Sequence, residues 1–362
     1  MDKTLLVSLV SNQTIPNVQF IKELKNDNSF FLFITTDDME KEEKTDNIIR
    51  ACNLNADKVI KKIVNPFSIK DNYDRLDEIL NYHNYDKLYV NVTGGTKIMS
   101  LSIYEYFRQY SSKIYYMTGT DNNMLQIHPK TSKVEVPITK LITLDEYIHS
   151  CGFIMKEGSV SEIPFEYTTD FLHNFIENGI NLDLLSQLRI LRKKGKKKVK
   201  IDEIQYVEDF IGKYNFPMNN KEELSRQEIK YITGDWFEEY IYHRLLDELK
   251  LSIDNIKTGI SLTKNEISNE FDVIFLYNNK LYTIECKTSV INENSNILTE
   301  TIYKADSLKN KLGFAKANIV TLSSKDTKEV RDAHIDRGKS ININIICRED
   351  IVNCKSIKDL IC

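Results

Sequence analysis

The chain has 362 residues, 41% hydrophobic and 28% charged, with a net charge of −4. That is long enough for two cores and too apolar for intrinsic disorder. No apolar run approaches the roughly 18 residues of a bilayer span, so no membrane partner is expected. Six scattered cysteines with no CxxC exclude a zinc site of ordinary spacing and predict reduced thiols in a cytoplasm.

Residues 1–145 alternate strand and helix patterns. "MDKTLLVSLVSNQT" turns polar too soon for a signal peptide and reads as a first strand over 4–11. Ile15, Val18, Ile21 and Leu24 then recur at helical spacing. A strand follows at 30–36, helices near 40–52 and 71–83, a strand at 87–93, a helix at 97–110 and a strand at 113–119. Strands separated by helices of this length predict βαβ units, a mostly parallel sheet and a Rossmann-like domain.

Ligands of such sheets bind beyond the carboxyl ends of the strands. Those ends carry Ser11, Asn12, Gln13 and Thr14; Thr36; Thr93, Gly94, Gly95, Thr96 and Lys97; and Thr118 and Gly119. In "NVTGGTKIMS" the two glycines allow close backbone approach, and the following helix offers free N–H groups beside a lysine. This suits a phosphate or another anionic ligand, although a strand–Gly-Gly–helix turn by itself is more often structural. It has neither the Walker nor the GxGxxG spacing.

Residues 146–230 change character to a helical connector. Within it, "RILRKKGKKKVK" (189–200) has eight basic residues in twelve. This is either a solvated loop or a local patch that attracts a polyanion. A third region, 231–362, opens with the helix "GDWFEEYIYHRLLDEL". Two strands, 271–277 and 280–287, are then joined by Asn278-Asn279, a two-residue hairpin turn. That turn pairs Tyr277 with Lys280, which brings Asp272 opposite Glu285 and Glu270 opposite Lys287, with Val273, Phe275, Tyr282 and Ile284 facing inward. Directly opposed carboxylates repel. A divalent cation between them would turn repulsion into binding, and oxygen ligands favour Mg²⁺ or Mn²⁺. The plainer alternative is a strand edge where the carboxylates reach solvent and Lys287 pairs with Glu270.

Asp272 followed by Glu285-Cys286-Lys287 resembles the PD-(D/E)xK nuclease motif. "GDWFEEY" is similar to the Gly-x-Trp-Leu-Glu-x-Tyr helix of a CRISPR-associated branch of that superfamily, with Phe237 in place of Leu. The resemblance implies a restriction-endonuclease-like α/β domain with Glu238, Asp272, Glu285 and Lys287 as catalytic residues. Glu238, Asp272, Glu285 and the backbone carbonyl of Cys286 would hold the metal, and Glu239 is the second choice on the helix. "SNQT" and "GGTK" resemble the CARF domain, the Rossmann-like sensor of cyclic oligoadenylates, which implies a homodimer. Together these features resemble the type III CRISPR effector nucleases. They imply activation by cyclic tetra-adenylate and hydrolysis of single-stranded RNA and DNA, with duplex DNA a further candidate. Expected boundaries are 1–145 for the sensor, 146–230 for the connector and 231–362 for the nuclease. Two rivals remain at this point: a ligand-responsive DNA-binding transcription regulator, and a stand-alone endonuclease whose first domain is an assembly platform.

Overall fold

The structure, a computed structural model, describes residues 2–80, 85–118, 122–156, 158, 161–289, 297–313 and 315–362. It divides into two compact units. The first is Met1–Met155 with Lys264–Glu266 and Lys311–Gly313, and the second is the remainder.

The first unit is built on a seven-stranded sheet in the order β3-β2-β1-β4-β5-β6-β7. The strands are β1 (Thr4–Leu9), β2 (Ser29–Thr35), β3 (Val59–Ile63), β4 (Lys87–Asn91), β5 (Ser112–Met117), β6 (Asn123–His128) and β7 (Glu135–Pro137). β1 to β5 are parallel, while β6 and β7 run antiparallel at one edge. "TLLVSL" and "SFFLFIT" are almost wholly buried, as unbroken apolar runs in a doubly covered parallel sheet should be. Five helices matter to the argument: α1 (Ile15–Leu24), α2 (Lys44–Ala51), α3 (Ile69–Leu80), α4 (Lys97–Phe107) and α5 (Leu144–Ser150). Leu5, Val7, Leu9, Leu32 and Val90 form one core with Met99, Ile103 and Phe107 of α4. The strand order reverses between β1 and β4, so the segments after these two strands, "SNQT" and "TGGTK", flank the switch point where ligands of such sheets bind.

In the second unit, strands follow one another across a sheet in the order β12-β11-β10-β9-β8. They are β8 (Ile256–Lys264), β9 (Ile267–Tyr277), β10 (Lys280–Lys287), β11 (Lys316–Thr321) and β12 (Ile343–Ile346). The β9–β10 hairpin has the expected register from Tyr277↔Lys280 to Val273↔Ile284. Asn278 and Asn279 have φ of 51° and 60°, the paired positive values of a type I′ turn. Phe275 stacks on Tyr282 with ring centroids 4.7 Å apart.

The longer helices of this unit are α6 (Phe165–Asn178), α7 (Leu182–Lys194), α8 (Val207–Tyr214), α9 (Trp236–Glu248), α10 (Ile297–Lys311) and α11 (Asp332–Ser340). α6, α7 and α8 do not stand apart: Phe171, Leu184, Leu188 and Phe210 share a core with Trp236, Phe237, Phe275 and Ile284. The basic run is not a loop. It forms the last turns of α7, a left-handed Gly195 (φ 68°) and the short strand Lys198–Lys200, which pairs with Glu223–Ser225.

Candidate functional site

The regular pairing of β9 with β10 ends at Val273↔Ile284, one position before the two carboxylates. From there side chains take over. Asp272 Oδ2 accepts from the Cys286 N–H at 2.7 Å and from Lys287 Nζ at 3.1 Å. The same ammonium reaches Glu285 Oε2 at 3.5 Å and the Cys286 carbonyl at 3.0 Å. Lys287 is therefore shared by Asp272 and Glu285, and the solvent-edge reading with a Glu270–Lys287 pair is corrected. Glu285 is only 4% exposed. A second lysine, Lys304 of α10, clasps both its oxygens at 2.9 Å.

The third carboxylate comes from α9. Gly234, with φ of 154°, lets the chain kink just before this helix, a conformation open to glycine and few other residues. Trp236, Phe237 and Tyr240 then anchor the helix in the core, and Glu238 lies close enough to feel the charge of Asp272. Burial, followed by the negative charges of Asp272 and Asp235, holds Glu238 well above the usual carboxylate range. Glu285 is raised by burial and by Asp272, against the opposing pull of Lys287 and Lys304. Burial would lower Lys287, but Asp272 and Glu285 outweigh it and push the ammonium pKa upward. Glu239, the second choice on the helix, accepts from the Ser161 N–H at 3.0 Å and from Ser161 Oγ at 2.6 Å. It is occupied by a structural bond.

Among the described residues, no three His, Cys, Asp or Glu side chains are already arranged as a metal cluster. The lysines supply the counter-charge instead. The donor chemistry still fits a hard divalent cation. Asp272, Glu285 and Glu238 offer only oxygens, and their mutual repulsion is what such a cation relieves.

Sequence reasoning missed three members of this neighbourhood. Lys304 is one; Asp235 and Arg192 are the others, bound to each other at 2.7 Å. Arg192 Nη1 also donates to Thr233 Oγ1 at 3.0 Å. Arg192, Asp235 and Glu238 separate two cavities. The larger, about 590 Å³, is lined also by Lys287, Arg189 and apolar residues of α6 and α7. The smaller, about 420 Å³, is lined also by Glu239, Ser261 and Glu270.

At the strand ends of the first unit most hydroxyls are already engaged. Ser11 Oγ donates to the Gln13 carbonyl at 3.3 Å, and the buried Thr14 donates to the Ser150 carbonyl at 2.7 Å. Thr36 accepts from the Met39 N–H at 3.4 Å, capping a single turn. Thr93 donates to Asn91 Oδ1 at 2.5 Å and accepts from the Met117 N–H at 2.7 Å. Thr96 caps α4, accepting from the Met99 N–H at 3.2 Å and donating to the Pro66 carbonyl at 2.6 Å. Asn12 and Lys97 are exposed, and Gln13, like Ser11, Thr36, Thr93 and Thr96, is half-buried. The Thr118 hydroxyl is buried with no partner among the described residues, and Gly119 lies outside those residues.

Gly94 is required by space. A Cβ there would collide with the Leu9 carbonyl oxygen, because the exits of β1 and β4 pass close together. Gly95 adopts φ of 74°. Asn17 and Asn91, not singled out by sequence, lock this junction: Asn17 donates to the Leu9 carbonyl at 3.0 Å and accepts from Asn91 at 2.8 Å.

Comparison with known proteins agrees with this geometry. Residues 5–147 match the family model of the Card1 CARF domain, and residues 225–360 match that of the Card1-like endonuclease domain. Nothing among curated proteins matches. A solved structure of Can2 from Sulfobacillus thermosulfidooxidans, in complex with cyclic tetra-adenylate, superposes with a TM-score of 0.71 at 25% identity, covering 94% of this chain and 95% of that one. VC1899 from Vibrio cholerae shares the fold, with a TM-score of 0.75 at 18% identity over 96% and 95% of the two chains. A type III CRISPR defence DNA nuclease activated by cyclic oligoadenylate shares it with a TM-score of 0.56 at 14% identity, over 89% of this chain but 45% of that one.

Proposed function

The chain belongs to the family that joins a Card1-type CARF domain to a Card1-like endonuclease domain, and from that premise we propose a metal-dependent nuclease switched on by cyclic tetra-adenylate in type III CRISPR antiviral defence. The endonuclease-domain match sets aside the transcription-regulator reading. The observation that carries the proposal is the sharing of one ammonium, Lys287, by Asp272 and the buried Glu285. Carboxylates shifted by burial and by specific charged neighbours, beside a cavity, mark a candidate functional site.

In this reading Asp272, Glu285, Glu238 and the Cys286 carbonyl would hold Mn²⁺ or Mg²⁺. When bound, such an ion supplies Lewis acidity toward the scissile phosphate and acidifies an attacking water. The protein's own part is positional. The Cys286 N–H fixes the Asp272 carboxylate, at 2.7 Å. Lys304 fixes Glu285, and Lys287 keeps its proton to offset charge that builds on the phosphate.

For the sensor, residues 1–145, support comes from the β1/β4 switch point and from the cyclic tetra-adenylate bound by Can2. Asn12, Gln13, Lys97, the 93–97 backbone and the free N–H groups at the start of α4 would contact the ring-shaped ligand. Homodimerisation would let two such surfaces share it. The ligand must bind the active arrangement more tightly than the resting one, since tight binding alone shifts nothing. The nuclease region is 231–362, with 146–230 supplying a wall of its cavity. Substrates are single-stranded RNA and DNA, with duplex DNA a further class. A cytoplasmic location fits six free cysteines, and no described helix is long and apolar enough to cross a membrane.

The test is cleavage of labelled single-stranded RNA and DNA with Mn²⁺, with and without cyclic tetra-adenylate, beside Glu285→Gln. Cutting should require metal, ligand and Glu285 together. Cutting indifferent to the ligand would favour a stand-alone endonuclease on an assembly platform. No cutting under any of these conditions would remove the catalytic assignment.

A further inference from the structure

The larger cavity of the second unit has two unlike walls. On one stand Asp235, Glu238 and Lys287. The other is built by α6 and α7, and along α7 its lining residues are Leu182, Leu185, Arg189 and Arg192. Their spacing of three, four and three places them on a single helical face, apolar at the start and cationic toward the end. Phe175 adds a ring that sits 5.0 Å from the buried Trp236.

Two features of this face suit an occupant. Leu182 is 80% exposed at the cavity, so its apolar surface is available to whatever enters there. The cations also differ in commitment. Arg192 is bound to Asp235, while Lys196 and Lys198 face Glu203 and Glu223. Arg189 is exposed and pairs with no carboxylate among the described residues. A face that offers apolar contact and, one helical turn further on, a free guanidinium is complementary to one nucleotide. A cavity of about 590 Å³ is large enough to take it.

We propose that this face of α7 is a nucleotide subsite beside the reaction centre, where Arg189 takes the phosphate next to the scissile one and the Phe175–Leu182–Leu185 wall takes an unpaired base. The proposal rests on the nuclease reading above. A base inside a duplex is paired and stacked and cannot reach the wall. The subsite therefore selects strands that are single or locally opened, and it makes the region between the two matched domains part of substrate recognition.

The test uses the full chain carrying Glu285→Gln, so that strands survive, with Mn²⁺ and cyclic tetra-adenylate present. Fluorescence anisotropy compares a labelled single-stranded oligonucleotide with an abasic strand of equal length. Leu182→Ser should weaken binding of the base-bearing strand about 5- to 10-fold and leave the abasic strand unchanged; Leu182→Trp, which offers a larger stacking surface, should tighten it. Arg189→Ala should weaken both strands alike and lower the slope of log affinity against log salt by about 0.7, one phosphate contact. Because Leu182 and Arg189 are exposed, none of these changes threatens the fold. Leu182 variants that treat the two strands alike would overturn the subsite while leaving the nuclease reading intact. If the unsubstituted chain neither cuts nor binds any strand, the nuclease reading falls and takes the subsite with it.

Discussion

The two candidate sites are built on opposite principles. At the strand ends of the first unit the hydroxyls of Thr14, Thr93 and Thr96 are spent on carbonyls, caps and Asn91, and Gly94 brings two strand exits together. What this junction offers a ligand is shape, free helix N–H groups and one exposed lysine. In the second unit Glu238, Asp272 and Glu285 are crowded until burial and mutual repulsion raise two of them, and Lys287 and Lys304 serve as counter-charges. Where groups are satisfied, a ligand adds contacts to a finished structure. Where they are frustrated, a cation completes an unfinished one. Strong carboxylate shifts of the second kind mark chemistry more often than recognition.

The sharpest way to break that comparison is Asp272→Asn. It keeps an acceptor for the Cys286 N–H but removes the charge that Lys287 neutralises. Metal-dependent cutting should fall by about 10²–10³-fold or more, measured in single turnover, with the thermal transition retained. A fall of less than tenfold would mean that the crowded carboxylates are merely structural. Next in size is Gly94→Ala. The new methyl group meets backbone at Leu9, which cannot swing aside as a side chain would. A loss of roughly 1–3 kcal/mol in stability is expected, together with loss of the response to cyclic tetra-adenylate. Unchanged unfolding would show that the junction is looser than its geometry indicates.

Glu238→Gln should have the opposite sign on stability. Removing one of the crowded charges relieves repulsion with Asp272 and Asp235, so the metal-free protein should gain about 0.5–2 kcal/mol in chemical denaturation while cutting is lost. Added Mn²⁺ should reverse the order, because the parent gains a bound ion that the variant holds less well. A variant less stable than its parent without metal would contradict the crowding.

These contrasts explain what the sequence disclosed. Asp272, Glu285 and Lys287 were legible because a two-residue Asn-Asn turn fixes the hairpin register, and register is local. The switch point was legible in part: β1, β2, β4 and β5 are marked by apolar runs. The edge strands β3 ("VIKKI") and β7, and β6 beside the latter, carry too few buried positions to stand out. Lys304 and Arg192 were not legible, since each meets its carboxylate only after tertiary packing, 19 and 43 residues away. Nor could composition show that α6 to α8 share the core of the second unit, because an amphipathic helix does not declare which core its apolar face will join. In sequence a strand-end hydroxyl looks the same whether it is free or bonded to a carbonyl, as those of Thr14 and Thr96 are.

The comparison can be repeated within a single helix. Glu248 lies on α9 three turns beyond Glu238, yet its environment is reversed. Burial would raise it, but it accepts from the Lys358 N–H at 3.0 Å, Ser356 Oγ at 2.8 Å and Arg244 Nε at 2.7 Å, and these bonds hold its carboxyl below the usual range. A carboxylate lowered in the folded state stabilises above its unfolded pKa, and that stabilisation disappears as pH falls through the folded value. Glu248→Gln should therefore cost about 0.5–1.5 kcal/mol at pH 7, and the cost should shrink toward nothing as pH falls through the lowered folded-state value and the carboxyl is protonated in both states. Denaturation midpoints of parent and variant should converge as the solution is acidified. A gap that stays constant with pH would mean that these bonds do not depend on the charge of Glu248, and that the satisfied end of α9 owes its order to packing alone.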